Sequence, residues 1–443
     1  MNQKHYLIKG TFLLTSAGIL TRIAGFFYKI FLSRTIGASE IGLFQLITPI
    51  FSLCMAVTCG GIQTALSRFT AEYEAKKNSA ASRRLLYCAL LFSTSLSVFC
   101  SMLLIFFADW IAARYLMEAA CENLLRIMAC SLPFAVIHAC ICGYYIGIKR
   151  ISISAISQLL EQFIRIFAVV CFYILFQNAG RLMDARIMAL GQIAGEIAAS
   201  LFCIFFLFST PQTDSPNQQF FKNKALPSYR ESFRQIFSVS LPLGLNRLLT
   251  CVLQSMEAAL LPQKIQESGS SGHAALSSYG ILTGMALPLI LFPTAVTSAA
   301  ATLLLPMVSE AQTLQKTRKI QFTVRISLLC TLGLGFFFLV IFFFSGSWVG
   351  TLLFDSKEAG YYIRLLAFTC PFLYLNTTLI SVLHGIGKTT QIFIWNLIGF
   401  GIRIGSILLL VPIFGITGYI LGTIGSQFFL SCCICFSLRS FLL

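Results

Sequence analysis

Four arginines, Arg22, Arg165, Arg247 and Arg403, each fall near the middle of an apolar stretch long enough to cross a bilayer. A cation at that depth costs about 2.5–3.5 kcal/mol on insertion scales unless it is partnered or hydrated. A planar guanidinium offers paired donors that match a phosphate or a carboxylate. The chemistry that such residues can do is capture of an anion inside the membrane. Lys29 follows Arg22 by seven residues, and seven residues turn a helix by about 700°, so the two share a face. Acidic residues at comparable depth are Glu161 and Glu196, with Glu257 closer to a helix end. Glu161 and Arg165 are spaced i, i+4 and can neutralise each other on one helix. The carboxylates are also candidates for coupling to a cation, H+ or Na+.

These residues have to be held by membrane helices. The chain has 443 residues, 57% of them hydrophobic and 11% charged. A soluble domain would carry roughly a quarter charged residues. Twelve apolar segments can be drawn, near 11–32, 41–66, 85–108, 124–147, 153–176, 187–208, 236–261, 276–305, 327–344, 361–383, 391–411 and 415–437, and none shows the short alternating pattern of a barrel strand. The first segment follows a basic start as a signal peptide would, but it runs on without a small-residue cleavage site and is read as a retained helix.

Basic loops such as Lys76, Lys77, Arg83, Arg84 and Lys149, Arg150 fall on one side of this drawing. The positive-inside rule then places both termini in the cytoplasm. The net charge of +16 is accordingly a topology signal with affinity for anionic lipid heads, and nucleic acid is not an expected partner.

An internal repeat organises the spans. LRIMACSLPF (125–134) matches IRLLAFTCPF (363–372), pairing Arg126 with Arg364 and Pro133 with Pro371. The same offset carries Gly147 onto Gly385 and Arg165 onto Arg403, while Arg22 and Arg247 occupy comparable depths of the first and seventh spans. Six spans per repeat return the chain to the side on which it started, so the two halves are parallel. The expected fold is an all-α polytopic membrane protein of about twelve transmembrane helices, in two parallel six-helix lobes around a central cavity. The lobes are 1–208 and 236–443, joined by a polar cytoplasmic linker, 209–235.

Other residues carry less chemistry. The sixteen cysteines scatter through apolar segments and read as small packing hydrophobes. His138 and His384 stand alone in the sequence and read as packing residues. GIGKTT (385–390) lacks the first glycine of a phosphate loop, with Val382 in its place. Neither HExxH nor GxSxG occurs, so no metal, cofactor or enzymatic role is expected.

SAGILTRIAGFFYKIFLSRTIGASEIGLFQLITPIF (16–51), SLPLGLNRLLTCVLQSMEAALLPQKI (240–265) and YGILTGMALPLILFPTAVTSAAATLLLPMVSEA (279–311) resemble the stage V sporulation protein B family. That family is grouped with lipid II flippases, Wzx-type oligosaccharide flippases and multidrug-and-toxin exporters. The resemblance implies alternating-access transport of an undecaprenyl-pyrophosphate-linked saccharide across a bacterial cytoplasmic membrane, for spore cortex or cell-wall peptidoglycan. It implies a pyrophosphate site at Arg22 in TRIAGF, at Lys29 and at Arg247 in LGLNRLL. Arg165 and Arg403 join that set on burial and repetition alone. Lys29 stands where the family pattern has Arg, and twelve spans replace the fourteen of close relatives. The competing expectations are a cation-coupled multidrug exporter, a non-transporting scaffold that recruits cell-wall synthesis enzymes, and a membrane glycosyltransferase.

Overall fold

The computed structural model describes residues 3–178, 180, 184–209, 228–315 and 317–442. Its described elements are helices throughout: α1 (Gln3–Thr35), α2 (Ala38–Cys59), α3 (Ile62–Ala75), α4 (Ser79–Phe106), α5 (Ala108–Trp110), α6 (Cys121–Gly147), α7 (Ile151–Asn178) and α8 (Arg186–Ser209). They continue with α9 (Tyr229–Glu267), α10 (Gly272–Gly280), α11 (Leu287–Leu291), α12 (Thr294–Thr313), α13 (Thr317–Phe354), α14 (Lys357–Leu366), α15 (Cys370–Ile386), α16 (Thr389–Leu409), α17 (Val411–Phe414) and α18 (Ile416–Leu442). Among the described residues, eleven helical stretches are long and apolar enough to cross a membrane, or twelve with the bent pair Tyr229–Leu241 and Leu243–Glu267. Large side chains such as Phe106, Phe208 and Phe344 are about four-fifths exposed, which only a lipid surround accommodates. This is a multi-pass membrane protein.

The segment at 276–305, expected as one span, is broken. Gly272–Leu291 and Thr294–Thr313 are separate apolar stretches that meet at Phe292 and Pro293. Proline removes one backbone donor and disfavours helical geometry at the residue before it, so continuous hydrophobicity does not give a continuous helix. The bend of 44° in α9 falls between Leu241 and Leu243, where position 242 is also proline.

The chain forms two compact units. The first holds Met1–Gly25 and Leu46–Ser255, the second Phe26–Gln45 and Met256–Leu443. Helices α1 and α9 each contribute to both. The expected linker, 209–235, lies largely outside the described residues.

In the first unit α6 packs on α3, α4 and α8, and α8 packs on α7. A core of Leu66, Leu85, Leu86, Val136, Ile141 and Tyr145 fills this bundle. The start of α9 joins it through Tyr73, whose hydroxyl donates to Gln235 Oε1 at 2.6 Å, and through Phe92, which meets Phe233 and Phe237 edge-on. In the second unit α15 packs on α12, α13 and α18, around Val308, Leu379, Val382, Leu383 and Ile434. Phe26–Gln45 joins it where Gly280 packs against Ala38 and where Arg34 donates to the last carbonyls of α13, at Leu352 and at Leu353 (2.9 Å). Those carbonyls have no partner within their own helix, so the guanidinium caps it.

The internal repeat has a packing counterpart. A Cβ on Gly147 would stand 2.6 Å from Thr70 Cβ, and one on Gly385 would stand 3.0 Å from Val308 Cβ. Thr70 and Val308 are themselves related by the offset that relates the two glycines. Each unit therefore repeats one close crossing, tighter at Gly147 than at Gly385.

Candidate functional site

Between α7 and α8 of the first unit, a pair of small residues sets the distance of approach. A Cβ on Gly195 would lie 2.8 Å from the Glu161 carbonyl oxygen and 3.2 Å from Arg165 Cβ, and one on Gly191 would overlap Val169. Gly191 and Gly195 are a small-xxx-small pair, which lets membrane helices come together backbone to backbone. Glu196, next to Gly195, is thereby brought against Glu161. Gly195→Leu is expected to force α8 off α7 and cost about 1–3 kcal/mol of stability, as overpacking does. Thermal unfolding in detergent measures it.

Four charged or titratable side chains meet at this crossing. Arg165 Nη2 donates to Glu161 Oε1, and Arg165 Nη1 donates to Gln162 Oε1 at 3.2 Å. Glu161 Oε2 and Glu196 Oε2 both lie 3.7 Å from His138 Nδ1. Glu196 Oε1 accepts from Gln192 Nε2 at 3.1 Å. His138 and Glu196 are buried, and the Arg165 side chain is 19% exposed. Such charges persist in an apolar interior only when paired and hydrogen-bonded. Arg165 Nε, buried, has no hydrogen-bond partner among the described residues. Gly25 on α1 faces this crossing, since a Cβ there would come 3.4 Å from Gln162 Nε2.

The second unit holds a smaller version. Glu257 on α9 is buried; its Oε1 accepts from the Tyr419 hydroxyl at 2.5 Å and its Oε2 lies 3.5 Å from Arg403 Nη2. The Arg403 guanidinium also stacks over Phe400, 4.3 Å from the ring centre. The repeat thus keeps the arginine and changes the source of the acid. Position 399, where the repeat would put the counterpart of Glu161, is glycine, and the carboxylate comes from another helix instead.

Sequence reasoning placed Arg165, Glu161, Glu196 and Arg403 at mid-depth and Glu257 nearer a helix end, and the structure brings them together as two ion-paired clusters. It did not place His138, whose partners lie on α7 and α8. The one signal available was Gly191-x-x-x-Gly195, a helix-contact pattern beside Glu196. Arg22 and Arg247 are exposed and Lys29 is half-buried. Arg126, the partner of Arg364 in the repeat, pairs with Glu122 at 2.6 Å, while Arg364 lies over Phe343.

Comparison with known proteins supplies the lineage. Stage V sporulation protein B of Bacillus subtilis (strain 168) is 28% identical over 94% of this chain and 80% of its own length. Lipid II flippase MurJ of the same organism is 23% identical over 69% of this chain and 58% of its own. Among solved structures, an inward-facing multidrug resistance MATE family transporter of the MOP superfamily superposes with a TM-score of 0.72 at 15% identity, covering 97% of this chain and 98% of that one. Lipid II flippase MurJ in an inward closed conformation gives 0.71 at 15% identity, over 97% and 87%. The fold is that of MOP-superfamily transporters. The MatE family matches residues 268–409. Polysaccharide biosynthesis protein, the family description that matches residues 7–312, covers most of the sequence, and the chain belongs to that family.

Proposed function

We propose that this protein is a flippase for an undecaprenyl-pyrophosphate-linked saccharide, a lipid II-like peptidoglycan precursor, in the cytoplasmic membrane of a bacterium, with both termini cytoplasmic. The observation that carries the reading is the exposure of Arg22 and Arg247 within apolar helices, which puts two cations where an anionic head group can reach them. The similarity to a lipid II flippase and to a sporulation protein supports the choice of cargo. Arg22 and Arg247 hold the pyrophosphate, with Lys29 further along the face of α1. Arg165 and Arg403 are a reserve, engaged by Glu161 and Glu257 when no cargo is bound.

That engagement suggests a coupling scheme. A cation arriving at Glu257 competes with Arg403 for the carboxylate and frees the guanidinium for the anionic cargo. Cation and cargo then favour the same state, which is what shifting a conformational equilibrium requires. At Glu257 the competing guanidinium stands at 3.5 Å from one carboxylate oxygen, while the Tyr419 hydroxyl holds the other. Glu161 and Glu196 are held by Arg165, His138 and Gln192 and set the packing of the first unit.

A second reading, a cation-coupled drug exporter, draws on the MATE-like fold. The deciding experiment uses proteoliposomes carrying the full chain with defined lipid-linked saccharides, with and without H+ or Na+ gradients. Translocation of the lipid-linked saccharide supports the flippase. Drug-stimulated ion flux without saccharide translocation supports the exporter instead.

A further inference from the structure

His138 presents its second ring nitrogen to a different chemistry. Nε2 lies 3.0 Å from Ser157 Oγ, which in turn lies 3.3 Å from Cys142 Sγ. Cys142 follows His138 by one helical turn on α6, and its sulfur is 4.0 Å from Cys203 Sγ on α8. One ligating atom from each of His138, Cys142 and Cys203 lies within 4.8 Å of the others. The three residues are 7%, 2% and 0% exposed.

We propose that His138, Cys142 and Cys203 bind one soft divalent metal ion of the zinc class inside the first unit. Two thiolates and an imidazole are the donor set such ions prefer. At a Zn–S distance of about 2.3 Å, tetrahedral geometry separates two sulfurs by about 3.8 Å, close to the spacing found. The charge also balances, because a divalent ion with two thiolates and a neutral imidazole is neutral overall. Such a complex can sit in an apolar core at little electrostatic cost.

A separate observation points the same way. Metal-bound histidines usually donate their remaining N–H to a carboxylate, which fixes the tautomer. Here Nδ1 lies 3.7 Å from both Glu161 and Glu196, with carboxylates on that side of the ring, and Nε2 faces Ser157. Ser157, whose hydroxyl donates to the Ser154 carbonyl at 2.9 Å, neighbours both Nε2 and the Cys142 sulfur. Binding releases the two thiol protons and joins α6 to α8 by metal–sulfur bonds. A disulfide would need the sulfurs at about 2.0 Å, half the distance here. The site stands independently of the proposed cargo.

The test uses the purified full chain, reduced, with its sixteen thiols confirmed by titration, and Co2+ as the spectroscopic probe. The expected result is one Co2+ per chain with a thiolate-to-cobalt charge-transfer band, displaced by Zn2+, and a melting temperature that rises with Zn2+ and falls back with chelator. The double variant Cys142→Ala/Cys203→Ala loses the band, and Cys330→Ala, at an exposed cysteine, keeps it. Should the double variant not fold, zinc-edge X-ray absorption of the unaltered protein reads two sulfurs directly. Absence of the band in the reduced protein, a band retained in the folded double variant, or a zinc shell without sulfur overturns the proposal.

Discussion

Arg22→Ala and Arg247→Ala are each expected to lower translocation of a lipid-linked saccharide about 10- to 100-fold while leaving membrane insertion intact. A hydrogen bond to a charged group contributes about 1.5–3 kcal/mol, and about 1.4 kcal/mol corresponds to a factor of ten. Both side chains are exposed, so their removal opens no buried cavity. Arg22→Lys keeps the charge without the fork and is expected to fall between the two. The measurement is initial translocation rate in proteoliposomes, normalised to inserted protein. Wild-type rates from both alanine variants would remove these residues from the head-group site.

Glu257→Leu is expected to destabilise the second unit by about 3–5 kcal/mol, because it strands the Arg403 charge beside an apolar core. Tyr419 loses its acceptor in the same change. The companion variant Arg403→Leu/Glu257→Leu removes both charges and is expected to recover most of that stability, since well-packed apolar replacements of buried ion pairs are often neutral or better. Thermal unfolding in detergent reads the stability, and translocation under an ion gradient reads the coupling. Recovery of stability without recovery of gradient-driven flux is the outcome that the exchange of Arg403 for a cation predicts. Full gradient dependence in the double variant would remove Glu257 from the coupling scheme.

Much of the architecture was legible before any coordinates. Helix number follows from the length of apolar runs, and the repeat from Arg165 and Arg403, Gly147 and Gly385. What stayed hidden depends on contacts between distant segments. His138 looked solitary because Glu161 and Glu196 reach it from two other helices. Glu257 and Arg403 could not be paired on the page, since the sequence does not say which faces of α9 and α16 meet. The break at Pro293 was visible as a residue, yet hydrophobicity on both sides masked it. Pairing is the information that a one-dimensional apolar pattern lacks.

The division of α1 and α9 between the two units bears on how the chain is made. A ribosome that has delivered the first eight helices has not delivered a finished first unit, because residues up to Ser255 belong to it. Meanwhile Phe26–Gln45, synthesised early, belongs with partners that emerge only after Met256. Neither unit is contained in one continuous stretch of the chain. Severing the chain anywhere in 210–227 would give two fragments, neither of which contains one whole unit.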